Sequence, residues 1–409
     1  MKETKRLYQQ DLYQTECESK VLDVITGDGE NLSYIVLDQT LFFPEGGGQP
    51  SDTGYIDDKY IDYVFEKDNI IYHQVSSLED PKSLIGKTVT AKIEWDKRFL
   101  NMQRHCGEHI LSAVFYELYG GINRGFHMGS DYMTIDISFE KNENYQMMTD
   151  EMMVEAELEA NKLVWANLPV SVYYFDSREE AEKMPMRKEL AIDEDIILVG
   201  IGDESYAAGC VACCGTHPKT TGEVGLIKLY KWEKYKGMAR ITFDAGLNAL
   251  LYSQNEAKLI KTICTHFATD PLSVMSKIDA QEQKFKEVKQ ELYEIKKVFI
   301  KERAEEIVKD LSESVVVREY PTLKTDDLLS IAKLLPKDSN NLFVLISPSE
   351  NTIILVSSGK HDCGKIVKDN AHVWNGKGGG RADNARAMFP SPQDMDCFVD
   401  YLKKAFSNF

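Results

Sequence analysis

His105-Cys-Gly-Glu-His109 and Cys213-Cys-Gly-Thr-His217 are two pentapeptides with metal-binding side chains at both ends. Residues four apart lie one above the other on the same face of an α-helix, so His105 and His109 can direct two imidazoles at one ion. Cys213 and His217 repeat this spacing. Three imidazoles and one thiolate suit zinc, whereas magnesium and calcium prefer oxygen ligands. A histidine pair alone is more often hydrogen-bonded than ligating, and the second pentapeptide is what predicts one four-ligand zinc site.

Composition limits the class of protein and its partners. The 409 residues, 43% of them hydrophobic, are enough for two or three domains with proper cores. No stretch of about 18 apolar residues occurs and the first ten residues have no apolar segment, so we expect no membrane span, no signal peptide and a cytoplasmic location. The eight cysteines are few for this length and three of them, Cys210, Cys213 and Cys214, lie together at the predicted ligand, which fits metal binding better than disulfides. The net charge of -18 argues against a general nucleic-acid coat protein, and any RNA-binding cations must be confined to one face.

The first half of the chain is predicted to be α+β. Short apolar runs separated by Gly, Asp and Pro predict strands from residue 11 to 90, and a small N-terminal β-barrel is the expected form. The pattern becomes helical at 96–119, where apolar residues form a stripe behind the two histidines. A helix at 149–166 should follow, with strands at 171–175 and 196–201.

The second half is predicted to begin with a helical segment at 249–311, which contains one proline and no glycine. Its apolar residues recur at intervals of three and four, as in a seam of about two heptads. A helix that packs on its own domain and the seam of a homodimer explain this pattern equally well. The seam consists of Phe285, Val288, Leu292, Ile295 and Phe299.

A compact α/β domain is predicted after this segment, from strands at 315–317, 342–346 and 353–356, a helix near 325–335 and a last helix that begins at Ser391-Pro392. The predicted division is therefore an N-terminal β-barrel domain at 1–95, a zinc-binding α+β domain at 96–247, a helical linker at 248–311 and a C-terminal α/β glycine-rich domain at 312–409.

Two glycine-rich segments stand beside the metal-binding pentapeptides. They are Pro44-Glu-Gly-Gly-Gly-Gln-Pro-Ser-Asp-Thr-Gly54 and Gly376-Lys-Gly-Gly-Gly-Arg-Ala-Asp383. In this order the four segments closely resemble the alanyl-tRNA editing proteins, free-standing relatives of the editing domain of alanyl-tRNA synthetase. The resemblance is to the long form, whose C-terminal glycine-rich domain is shared with the synthetase and with DHH-family phosphoesterases. It extends from about residue 15 to the C-terminus.

The resemblance implies a trans-editing enzyme, an aminoacyl-tRNA deacylase that hydrolyses the ester of tRNA(Ala) wrongly charged with serine, with glycine as a further candidate. It makes residues 96–247 the editing domain and His105, His109, Cys213 and His217 the zinc ligands. Gln49 matches a position that lines the editing pocket, and Thr53 lies close to it in sequence. Cys214 stands where the family commonly has glycine, and Lys377 interrupts the second glycine run.

The chemistry of an aminoacyl ester leaves two roles for zinc open. The ester is already reactive, so the enzyme mainly has to bring water and the carbonyl together and stabilise charge. Four protein ligands resemble a closed structural site. Zinc could therefore activate water or only shape the pocket. A polar group that hydrogen-bonds the serine hydroxyl can discriminate against alanine by about 10^4 to 10^5. Gln49 and Thr53 are the candidates, and the alternative for each is a residue that satisfies its own turn or strand.

Two other functions fit the same residues. His105-Cys-Gly-Glu-His109 is also an HxxEH sequence, in which Glu108 would be the catalytic base of a zinc metallopeptidase. Such enzymes complete the site with a carboxylate, whereas here the second pentapeptide supplies two further ligands. The third class is a non-catalytic, zinc-stabilised RNA-binding protein.

The C-terminal glycine segment predicts a tRNA phosphate site, since glycine N–H groups and nearby cations can face phosphates. A tight loop between strand and helix is the alternative. Expected partners are tRNA(Ala) charged with serine or glycine, neither DNA nor a membrane, and a second copy of the chain through the linker or C-terminal domain as an open alternative. The predicted tRNA-binding residues are Gly376, Lys377, Gly378, Gly379, Gly380, Arg381 and Arg386.

Overall fold

The structure, a computed structural model, divides into two compact units, Met1–Thr262 and Ile263–Phe409. Both units combine helices with sheets, which confirms the α+β class, while the four-domain division stays a prediction. Among the described residues, no helix combines the length and apolar character needed to cross a membrane. The structure describes residues 3–27, 32–76, 78, 81–140, 148–186, 190, 196–202, 210–309, 311–336, 338–358 and 360–407.

Six strands near the N-terminus pair antiparallel in the closed order β2-β3-β7-β6-β5-β8. The strand β2 closes this order because its first half pairs with β8 and its second half with β3, with an irregularity between Val21 and Asp23. Alternate residues point inward, and Leu37, Ile61 and Ile71 are fully buried there. The strands are β1 (Lys5–Arg6), β2 (Glu16–Thr26), β3 (Leu32–Leu37), β4 (Gln39–Thr40), β5 (Gly54–Ile56), β6 (Lys59–Lys67), β7 (Ile70–Ser76) and β8 (Thr88–Ile93).

The helix α1 (Trp95–Tyr119) follows the barrel and ends at Gly120, whose φ of 64° lies in the left-handed region. It packs against a four-stranded antiparallel sheet in the order β14-β15-β10-β9. Phe115 and Phe243 are fully buried between them, and burial of one such side chain contributes about 1.5–3 kcal/mol. These strands are β9 (Ile122–Met128), β10 (Met133–Ser138), β14 (Ile227–Tyr235) and β15 (Met238–Ala245).

A second layer completes the first unit. The helix α2 begins after Thr149, whose side chain accepts a hydrogen bond from the Met152 N–H group, and it covers β14. A small antiparallel sheet has the order β11-β12-β13. These elements are α2 (Asp150–Trp165), β11 (Val170–Phe175), α3 (Arg178–Ala181), β12 (Ile196–Ile201) and β13 (Val211–Ala212).

The predicted helical segment is two helices, α4 (Leu247–His266) and α5 (Val274–Lys309), separated around Pro271. Proline lacks an N–H group and disfavours a helical residue before it, which explains the break. The apolar seam of α5 is exposed: Phe285 keeps 69% of its surface accessible and Ile295 keeps 66%. Packing of the seam on its own domain, which is one of the two alternatives that the sequence left open, is therefore not what the structure shows.

The second unit contains a five-stranded sheet in the order β16-β17-β18-β20-β19. Only the pair β16 and β17 is parallel within it. The last helix begins as predicted, with the Ser391 hydroxyl accepting from the Asp394 N–H group and Phe398 buried against the sheet. The elements are β16 (Val315–Glu319), α6 (Thr325–Ala332), β17 (Leu342–Ser347), β18 (Thr352–Ser357), α7 (Cys363–Asn370), β19 (Lys377–Gly380), β20 (Asn384–Met388) and α8 (Pro392–Phe406).

Candidate metal centre

The structure brings the four predicted ligands together. The donor atoms of His105, His109, Cys213 and His217 all lie within 4.8 Å of one another. The Cys213 Sγ atom is 3.3 Å from the Nε2 atoms of both His105 and His217. Donors around a tetrahedral zinc ion stand roughly 3.3–3.8 Å apart, given Zn–N bonds of about 2.0 Å and Zn–S bonds of about 2.3 Å. The cluster therefore fits one metal ion.

The two ligand pairs are positioned in different ways. His105 and His109 lie on successive turns of α1 with stacked rings 5.1 Å apart, as the spacing predicts. The expected helical geometry of Cys213 and His217 is wrong, because both residues lie in the irregular segment after β13. Gly215 lets this segment approach α1, since a Cβ atom there would lie 2.2 Å from the His105 ring. Tertiary packing, not helix periodicity, brings the second pair to the first.

Electrostatics favour a bound cation. Burial lowers the pKa of His105 to about 4, and burial together with the neighbouring imidazoles lowers the pKa of His217 well below its usual value. The rings are therefore neutral at physiological pH, with lone pairs available. Burial raises the pKa of the Cys213 thiol, so the thiolate needs a positive charge beside it. A metal ion supplies that charge.

Gln49 connects the two ligand pairs. Its Oε1 atom lies 3.0 Å from His105 Nδ1 and accepts the Thr216 N–H group at 2.9 Å, while its Nε2 group donates to the Thr216 hydroxyl at 2.7 Å. Since Gln49 Oε1 is an acceptor, His105 Nδ1 carries the proton and Nε2 is left for the metal. Gln49 is fully buried, and its amide is occupied by these partners. Gln49 therefore supports His105 from the Nδ1 side of the ring, and the Nε2 side is left for the metal.

The glycine run before Gln49 forms the turn that directs it inward. Gly46 and Gln49 exchange backbone hydrogen bonds of 3.1 and 3.0 Å. Gly47 and Gly48 have φ values of 60° and 79°, which L-residues rarely adopt. A Cβ atom on Gly47 would lie 2.9 Å from Cys214 Sγ, so the run also packs closely on the ligand segment.

Glu108 lies behind the second histidine. Its Oε1 atom accepts from the Ser112 hydroxyl and the Asn123 amide, both at 2.6 Å. Its Oε2 atom is 3.2 Å from His109 Nδ1. A carboxylate beside the Nδ1 atom of a histidine is the arrangement that commonly orients a metal-binding ring, although this contact does not have the geometry of the hydrogen bond between Gln49 and His105.

Thr53 is not brought to the cluster. Its hydroxyl donates to the Glu94 carboxylate, and its carbonyl accepts the Glu94 N–H group at 2.8 Å, just before α1 begins. A catalytic role for Thr53 stays a prediction.

The sequence reasoning missed the ion pair between Asp52 and Arg98. Both side chains are almost completely buried, and Arg98 also donates to the Leu41 carbonyl at 2.7 Å. Asp52 accepts the Phe43 N–H group at 2.7 Å, so the pair anchors the glycine segment to α1. An acidic residue in a glycine-rich segment and an arginine one heptad before His105 were the available signals.

The predicted tRNA-binding segment lies in the second unit. Lys377, Arg381 and Arg386 are exposed, and Gly379 pairs with Arg386 across β19 and β20. The run is an edge strand rather than a tight loop. A Cβ atom on Gly378 would lie 1.9 Å from the Arg386 carbonyl oxygen, so the glycines allow close strand packing. Its role in tRNA binding stays a prediction.

A cavity of about 510 Å³ adjoins the ligand segment. This volume lies in the range of small-molecule sites, about 300–1,000 Å³. Its walls include Cys214, Gly215 and Thr216, which lie between the ligands Cys213 and His217, and the aromatic residues Tyr8 and Tyr174.

Three family models match parts of the chain. Residues 3–97 match tRNA synthetases class II (A), residues 196–242 match the threonyl and alanyl tRNA synthetase second additional domain, and residues 312–408 match the DHHA1 domain. Alanyl-tRNA editing protein AlaX-L from Pyrococcus horikoshii is 29% identical over 402 residues, which cover 93% of each chain. The chain is similar to an alanyl-tRNA editing protein over nearly its whole length. The family resemblance predicted from the four sequence segments is thus confirmed.

Alanine-tRNA ligases are similar over a smaller share of their length. The ligase from Methanobrevibacter smithii is 29% identical over 96% of this chain, and the one from Pyrococcus abyssi is 30% identical over 94%. The chain spans only 45% and 42% of these two ligases. The match to the editing protein covers 93% of both chains, whereas the matches to these ligases cover less than half of the ligase length.

Proposed function

We propose that this protein is a trans-editing hydrolase that deacylates seryl-tRNA(Ala), with glycyl-tRNA(Ala) as the second substrate to be tested. The cluster of His105, His109, Cys213 and His217, held by Gln49 of the glycine segment, is the observation that carries the proposal. It occurs in a chain that matches an alanyl-tRNA editing protein over 93% of both lengths. Aminoacyl-ester hydrolysis on tRNA(Ala) accounts for the site and the relatives together.

Zinc is the metal we propose for this cluster, because three imidazoles and one thiolate match its preferred donors. Bound zinc would supply positive charge at the cavity, for an oxygen that gains charge or for fixing the substrate. The protein's own residues set the geometry. Gln49 would fix the protonated nitrogen of His105, the Glu108 carboxylate would face Nδ1 of His109, and the cavity beside Thr216 would hold the terminal nucleoside and its amino acid.

The arrangement of Glu108 favours editing over peptidase chemistry. A catalytic base of an HxxEH peptidase needs a carboxylate directed at substrate water. Here both donors to Oε1, from Ser112 and Asn123, come from the protein, and Oε2 faces His109. We therefore assign Glu108 a positioning role.

The test is hydrolysis of seryl-tRNA(Ala) and alanyl-tRNA(Ala) side by side, with and without a chelator. We expect rapid release of serine, survival of the alanyl ester and loss of serine release after chelation. Equal rates on the two esters would overturn the proposal. Bound metal without any ester hydrolysis would favour a zinc-stabilised RNA-binding protein, and cleavage of unstructured protein would favour a peptidase.

A further inference from the structure

The hairpin of β14 and β15 carries a local excess of positive charge. Between Lys228 and Arg240 there are five basic residues and one acid, Glu233, in a chain whose net charge is -18. Aromatic residues alternate with the cations at Tyr230, Trp232 and Tyr235. Cations interleaved with aromatic rings are the side chains that contact phosphates and bases.

The cations nearest the turn are the least neutralised. Lys228 pairs with Glu157 at 3.0 Å, and Arg240 pairs with Asp136 at 2.7 Å. Lys231 reaches Glu233 only at 3.9 Å, and both side chains are exposed. Within the described part of the chain, no ion pair is found for Lys234 or Lys236, and both residues are exposed. The turn at the end of the hairpin, here called the tip, is therefore surrounded by lysines whose positive charge is not neutralised by an acidic side chain among the described residues.

The tip is preorganised and unobstructed. Lys236 and Gly237 have φ values of 48° and 79°, as in the two-residue turns that suit the twist of a hairpin. A Cβ atom on Gly237 would meet nothing within 4 Å among the described residues. The Arg240 guanidinium lies 3.4 Å from the centre of the Tyr235 ring and is held by two hydrogen bonds to Asp136. The backbone of the turn and the Arg240 side chain are therefore already ordered before a ligand binds.

The strand β15 also runs from the tip to the helix that carries His105 and His109. Its last residue, Ala245, packs on Gly107 of α1, two residues from each histidine and on another face of the helix. The seven steps from Met238 to Ala245 span roughly 23 Å at about 3.3 Å per residue. An amino acid or its nucleoside ester is too short to contact both the tip and the site on α1. A polyanion that continues beyond the ester is long enough to contact both.

We propose that the tip, defined by Lys231, Lys234, Tyr235 and Lys236, docks on the phosphates of the tRNA acceptor helix while the 3′ end enters the cavity lined by Cys214, Gly215 and Thr216. This inference rests on the proposed function and names a second contact of the same substrate. The charge of the tip matches an RNA backbone, and the roughly 23 Å along β15 between the tip and α1 requires a ligand that extends beyond its aminoacylated end.

The experiment compares two triple variants of the full chain. One changes Lys231, Lys234 and Lys236 to Ala. The control changes the exposed barrel residues Lys67, Lys87 and Lys92 to Ala and removes the same charge. Binding of a tRNA(Ala) transcript is measured from 50 to 200 mM salt, with hydrolysis of 3′-seryl adenosine and thermal melting measured in parallel.

We expect the hairpin variant to bind tRNA more weakly, with a log–log salt slope shallower by roughly two to three units, since each lost phosphate contact removes about 0.9. The control should keep the wild-type slope, and both variants should hydrolyse the small ester normally. An unchanged slope in the hairpin variant, an equal loss in the control, or loss of binding to anionic vesicles instead of tRNA would overturn the inference. If wild-type protein binds tRNA through the hairpin but cleaves no seryl ester, the docking surface is supported and the proposed function fails alone.

Discussion

Replacement of Gln49 by Ala should weaken metal binding more than any other change outside the four ligands. The substitution removes the acceptor of the His105 Nδ1 proton and both hydrogen bonds to Thr216. Three such bonds, at about 0.5–1.5 kcal/mol each, contribute about 1.5–4.5 kcal/mol to the free energy of unfolding of the site. Loss of the hydrogen-bond partner of a metal-binding side chain typically lowers metal affinity 10- to 100-fold, or about 1.4–2.7 kcal/mol of binding free energy.

The assay is competition for zinc with a chromophoric chelator, using full-length protein. Gln49→Glu keeps the acceptor oxygen and should retain most of the affinity. Gln39→Ala is a matched control, because Gln39 donates to the Glu18 carbonyl in the barrel and contacts no ligand. If Gln49→Ala binds zinc as tightly as wild type but no longer separates seryl from alanyl ester, Gln49 reads the substrate hydroxyl and the positioning role is wrong.

Three further outcomes follow from the structure. Cys213→Ala should lose the metal while Cys214→Ala keeps it, as elemental analysis would show, and the opposite result would move the thiolate ligand. Arg98→Met should destabilise the first unit by about 3–5 kcal/mol in urea, because the buried Asp52 carboxylate loses its partner; a change below about 1 kcal/mol would refute a buried ion pair. Burial lowers the pKa of His73 from 6.5 to about 4, so between these values the unfolded chain binds a proton that the folded chain does not. Between pH 7 and pH 5 the free energy of unfolding of wild type should therefore fall by about 2 kcal/mol more than that of His73→Gln. Equal losses in the two proteins would contradict this.

Local information was enough to predict one half of the metal site. His105 and His109 are four apart on a helix whose apolar stripe is evident from the sequence, so their shared direction follows from helix geometry. Cys213 and His217 have the same spacing without a helix. Their convergence depends on Gly215 and on contacts with a segment more than 160 residues away, which spacing alone cannot reveal.

The roles of the polar residues were less accessible from the sequence. Gln49 and Glu108 were singled out as catalytic candidates, but a sequence cannot show that their amide and carboxylate groups face histidine Nδ1 atoms. The Asp52–Arg98 pair joins residues 46 apart and was missed for the same reason. The seam of α5 was visible as a pattern, while its exposure depends on what packs against it.

The most direct test of the account is titration of zinc into chelated, full-length protein while the initial rate of seryl-tRNA(Ala) deacylation is followed. Activity should rise linearly and stop at one zinc per chain, and His217→Ala should recover neither metal nor activity. Full deacylation by protein shown to be metal-free, or activity in His217→Ala equal to wild type, would contradict the assignment of this cluster as the centre of the editing site.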